Sequence, residues 1–115
     1  MAFQAAAGTL LIDTGAATTQ YSVTGQTGTW KALLLWWTGR SDAADAAGEQ
    51  DIKPGIGAAT GTAARWTVTG QADHSPTTTA TDRYTTTDAC VAMLAIDGTV
   101  DGLADFVSFN ADGFT

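Results

Sequence analysis

The chain has 115 residues, enough for one domain and too few for two, and at this size folding buries about two thirds of the surface the unfolded chain exposes. Ala (22), Thr (21) and Gly (13) supply 56 of the residues, while charged residues are 15%, against roughly 25% in an ordinary soluble domain. Twelve acidic and five basic residues give a net charge of −7, and Lys31, Arg40, Lys53, Arg65 and Arg83 lie far apart. That excludes a phosphate-tracking basic groove and, with it, a nucleic-acid partner.

The N-terminal Met1-Ala2-Phe3-Gln4-Ala5 has no basic segment followed by a long apolar one, so synthesis without export is expected. Gly8 to Asp13 is a candidate first strand. In Thr18 to Thr24, Thr19, Tyr21 and Val23 alternate with Gln20, Ser22 and Thr24, and Gly25-Gln26-Thr27-Gly28 follows as a turn. Trp30 to Thr38 holds the longest apolar run, Ala32 to Trp37. It is far short of the roughly 20 residues a membrane span needs, so no membrane insertion is expected. The run reads as a central strand buried on both faces, or as one with a face reserved for a partner subunit.

Gly39 to Asp51, rich in Ala, Asp and Gly, lacks an apolar stripe and reads as an exposed loop. Ile52 to Thr62, with Pro54, Gly55, Gly57 and Gly61, predicts an edge strand or an irregular one. Arg65 to Gly70 alternates, Trp66 and Val68 on one side and Arg65, Thr67 and Thr69 on the other. Asp73 to Asp82 reads as a second loop, and Tyr84 to Asp97 and Leu103 to Asn110 as strands flanking a turn at Asp97 to Gly102. Phe114-Thr115 starts a strand that stops at once, which suggests truncation of a longer protein or completion by a partner chain. The whole predicts one all-β domain over residues 1–115, an antiparallel β-sandwich of about seven or eight short strands with jelly-roll-like or Greek-key connectivity.

No group of residues points to catalysis or to a cofactor. His74 stands between Asp73 and Ser75, but neighbours on a loop cannot take up triad geometry. Cys90, the single cysteine, lies in an apolar run and reads as a buried small hydrophobe; one Cys and one His cannot fill a zinc site. Asp97, Asp101 and Asp105 have the wrong order for a calcium loop and read as turn-forming residues, and Asp42, Asp45, Glu49 and Asp51 read as a solvated acidic loop. Gly55 to Gly61 has neither the lysine of a phosphate-binding loop nor a βαβ setting. The aromatic residues remain. Adjacent Trp36 and Trp37 must point to opposite faces of a strand, one to the core and the other to an interface or exposed surface. Trp66 and Tyr84 are candidate platforms for a cell-surface glycan.

Trp30-Lys31-Ala32-Leu33-Leu34-Leu35-Trp36-Trp37-Thr38-Gly39-Arg40, then Thr87-Asp88-Ala89-Cys90-Val91, then Phe106 through Asp112-Gly113-Phe114-Thr115 resemble, in that order, β domains of tailed-bacteriophage virion structural proteins. Gly28-Thr29-Trp30 stands where that group has Phe-x-Pro before the lysine. The resemblance spans residues 28–115 and implies a non-enzymatic subunit of a tail, fibre, spike or capsid surface. Such a subunit is made in the host cytoplasm, ends in the virion, and has copies of itself and other virion proteins as partners. Few charges and a modest core suit subunits that bury further surface on one another. On that reading Leu33, Leu35, Trp36 and Trp37 form the candidate subunit interface. A carbohydrate-binding sandwich using Trp66 and Tyr84 is the alternative.

Overall fold

Short runs of Thr, Val, Leu and Trp between Gly, Asp and Asn favour pleated strands over helices, and the computed structural model bears this out: no helix occurs among the described residues, which are 5–10, 20–38, 52–74 and 77–115. The strands are β1 (Leu33–Trp37), β2 (Gly55–Gly61), β3 (Ala64–Asp73), β4 (Ala80–Thr86), β5 (Val91–Leu94), β6 (Val100–Ala104), β7 (Phe109–Asn110) and β8 (Gly113–Phe114). All pair antiparallel, in a small sandwich-like arrangement.

β1 to β4 form one sheet in chain order, a meander. Leu34, Ala58 and Trp66 align across it in one row, and Trp36, Ile56, Val68 and Thr85 in the next. β5 lies against the other face, over β2 and β3, and carries β6 as its partner. Between these layers Ala59, Cys90, Val91 and Phe106 make the buried core, and Leu33, Leu35, Trp37, Ala104, Phe109 and Phe114 pack around it. Phe106 and Phe109 meet as a tilted pair with ring centroids 4.6 Å apart.

Two glycines set the layer spacing. A Cβ on Gly57 would run into the backbone carbonyl of Cys90, and one on Gly55 would run into the indole of Trp37. The glycines, read from the sequence as marks of an edge strand or an irregular one, sit in an interior strand whose register shifts between Ala59 and Gly61, and a bare backbone there lets β5 and the Trp37 ring come down onto β2. β1, expected in the centre, is in contrast an edge of the described sheet. Its apolar side chains alternate between core and solvent instead of being buried on both sides.

Other expectations shift as well. The predicted strand at Tyr84 to Asp97 is two strands, β4 and β5, in different sheets. β4 begins at Ala80, inside the predicted loop. Gly8 to Leu10 is not a strand and the rest of that segment lies outside the described residues, as do 18 and 19 of the strand expected at Thr18 to Thr24; its described residues, 20–24, contribute a bridge at Val23. The acidic segment with Asp42, Asp45, Glu49 and Asp51 also lies outside them. Phe114 and Thr115 are bonded within their own chain. Phe114 exchanges backbone bonds with Val23 (2.9 and 3.1 Å), and Thr115 N–H donates to Ser108 O (2.9 Å).

Gly57→Ala should lower stability by at least about 2 kcal/mol, since backbone must move to admit the methyl group. Gly61→Ala, where a Cβ meets nothing within 4 Å, should change it by no more than about 0.5 kcal/mol. Urea midpoints read both, and equal midpoints would show that the layers do not touch at Gly57.

Candidate functional site

β3 has the opposite polarity from the one hydrophobicity would assign, whereas β1 turns Leu33, Leu35 and Trp37 to the core. On β3 the hydroxyl side is inward: Thr67, Thr69 and Gln71 are buried, while Trp66 and Val68 face solvent. Each of these three buried side chains has a partner. Thr67 Oγ1 donates to Ile56 O (3.2 Å) and Thr69 Oγ1 to Pro54 O (3.1 Å). Gln71 Nε2 donates to Asp82 Oδ2 (2.6 Å) and to Ile96 O (2.9 Å). Satisfied in this way, the hydroxyls escape the desolvation cost of an unmade bond, about 1–3 kcal/mol each.

The displaced apolar residues gather on the outside. Leu34 and Trp36 of β1, Ile56 of β2, and Trp66 and Val68 of β3 share the outer face by strand alternation. Ile52 belongs with them. It exchanges backbone bonds with Ala72 (3.2 and 2.9 Å), and Gly70 N–H donates to Pro54 O (2.9 Å), so the β2–β3 ladder runs on in register past Pro54, which has no N–H to return. All six of these large apolar side chains are at least 41% exposed, Trp36 the most at 71%. On β4, Thr81, Arg83 and Thr85 turn to the same side and supply its polar margin.

The residues picked from the sequence are divided by this geometry. Of the candidate interface set, Trp36 alone projects outward. Leu33, Leu35 and Trp37 turn inward, partly buried, and pack on the core. Trp66 and Tyr84, proposed as one glycan platform, lie on opposite faces, since Tyr84 pairs with buried Thr69. Leu34, Ile52, Ile56 and Val68 were absent from both sets. Their signal was the alternation within Leu33–Trp37 and Arg65–Gly70, unreadable until it was known which side faces β5.

The reactive groups are kept apart. Cys90 is a free buried thiol whose Sγ lies 3.5 Å from Ala104 O, while His74 is exposed just beyond β3. Burial first, and the Asp105 carboxylate second, push the Cys90 pKa up, so the thiol stays protonated. Asp97 accepts from Thr99 N–H (3.0 Å) and Thr99 Oγ1 (2.6 Å), and these bonds hold its pKa below the usual value. Asp105 forms an ion pair with Arg65 Nε at 2.5 Å. The other guanidinium nitrogens of Arg65 donate to Thr62 O and Asp88 O, so this side chain ties the β2–β3 turn to the entry of β5. Asp97 and Asp105 thus serve separate structural ends. Among the described residues no three His, Cys, Asp or Glu side chains form a group able to hold a metal, and the glycine-rich run Gly55–Gly61 is a strand.

No protein-family model, curated protein or solved structure matches the chain.

In the native protein at pH 8, alkylation of Cys90 by iodoacetamide should be at least about tenfold slower than in urea, because only the thiolate reacts. The raised pKa means that the stability tied to the neutral thiol is full below the unfolded thiol's pKa and is lost as pH rises through the folded one. Equal alkylation rates with and without urea would place the thiol at the surface.

Proposed function

We propose that the chain is a non-enzymatic structural subunit of a tailed-bacteriophage particle, part of its tail, fibre, spike or capsid surface. It is made in the host cytoplasm and carried in the virion. The observation that supports this reading best is the outer sheet face, where six large apolar side chains stand exposed side by side. Contiguous apolar surface of this kind marks a place where another macromolecule sits. The segments that resemble phage virion domains supply the frame for it: Trp30–Arg40 contains β1, Thr87–Val91 leads into the core strand β5, and Phe106–Thr115 holds the aromatic pair and the β7–β8 hairpin.

Carbohydrate recognition is the second reading, favoured by the exposed indole of Trp66. Tyr84, on the opposite face, cannot share that platform. Binding on an array of bacterial polysaccharides that disappears in Trp66→Ala is the result that would put this reading first.

Antibody labelling of purified particles from the phage that encodes the chain should decorate one defined part of the particle in electron micrographs. Protein found only in the soluble fraction of infected cells, with particles unlabelled and free of its peptides by mass spectrometry, would overturn the assignment.

A further inference from the structure

We propose that the outer face of the β1–β4 sheet docks on the same face of a second copy, sheet against sheet about a two-fold axis. The inference rests on the assembly reading above and names the contact through which a pair is made.

Electrostatics select this face. Two copies that each carry a net charge of −7 repel one another, and the repulsion is least where no carboxylates meet. Among the described residues the only ionisable side chain that strand alternation places on the outer face is Arg83, at the β4 margin. Asp73, Asp82, Lys53 and Arg65 all alternate to the other side.

Area supports it as well. Six side chains of this size and exposure present roughly 500–600 Å², given that a whole aromatic side chain is worth about 150–250 Å². A self-paired face would bury about twice that, which reaches the roughly 1,000 Å² of total surface that a specific interface needs.

The relief of the face is self-complementary. Low residues interrupt the tall ones: Ala58 lies between Leu34 and Trp66 in one row and Gly70 beside Pro54 in another, with the tall row Trp36, Ile56 and Val68 between them. In a two-fold stack, where sheets lie about 10 Å apart, the indoles of one copy can fill the hollows over Ala58 and Gly70 of the other. The surroundings fit too, with an apolar centre and a margin of Thr81, Arg83 and Thr85.

The test is sedimentation equilibrium of the full chain from micromolar to millimolar concentration, with three variants. The expected result is a dimer of the 11.8 kDa chain, monomeric in Ile56→Lys and weakened at least about thirtyfold in Trp36→Ala. Leu103→Lys, on exposed β6 away from the face, should dimerise as the parent does. Urea midpoints check that each variant is folded; if Ile56→Lys is not, Trp36→Ala decides. A parent chain that stays monomeric throughout overturns the proposal and gives the face to another part of the chain or to a different protein. A dimer that survives both face substitutions, or that Leu103→Lys breaks, overturns it too. A trimer or ring overturns the two-fold contact but leaves the virion reading standing, since that is decided by labelling of particles.

Discussion

The structure depends on one backbone contact, that of Gly57 with the carbonyl of Cys90. Two layers that meet main chain to main chain leave little depth where they touch. The core there is built from Ala59, Cys90 and Val91, with Phe106 buried among them. It explains why a chain so rich in alanine, glycine and threonine folds at all: small residues let the sheets approach, and the close approach recovers packing that volume would otherwise supply. The same contact buries the thiol, while strand alternation turns Trp37 onto Gly55 and Trp36 into solvent.

A sheet with an apolar outer face and hydroxyls within cannot set its register by hydrophobicity. A slip of one residue in β3 would exchange Thr67 and Thr69 for Trp66 and Val68, and water aversion alone would favour it. Hydrogen bonds and sterics oppose the slip. The threonine hydroxyls reach Ile56 O and Pro54 O, Gln71 bridges Asp82 and Ile96 O, and the Cys90 carbonyl sits against Gly57 in the neighbouring strand. Polar groups that seem incidental in the sequence thus choose the face that becomes surface.

Much of the fold was legible in the residues. The all-β class followed from short apolar runs between turn formers, and the burial of Cys90 from its neighbours. The opposite fates of Trp36 and Trp37 followed from strand geometry alone. What misled was polarity. A five-residue apolar strand has no visible outside, so Leu33, Leu35 and Trp37, which pack on the core, could not be told from Trp36, which does not. Reading apolar as inward gave no reason to look outward at Val68 or Ile56. The glycines of β2 pointed to an edge strand or an irregular one; the irregularity is there, but the interior place was not legible, because the chain does not announce which other strand will press against them. Those facts are tertiary, settled by β5 from more than thirty residues away.

The pairing of Val23 with Phe114 has a consequence in time. The meander needs only local closures, its β2–β3 turn being Thr62-Ala63, whereas Val23 and Phe114 stand about ninety residues apart in the chain, and closing so long a loop is slow and entropically costly. The meander therefore forms ahead of the pairing that brings Phe114 to finish the core beneath it. A chain caught between the two events has apolar surface open on both sides of its sheet, and that is when it is most adhesive.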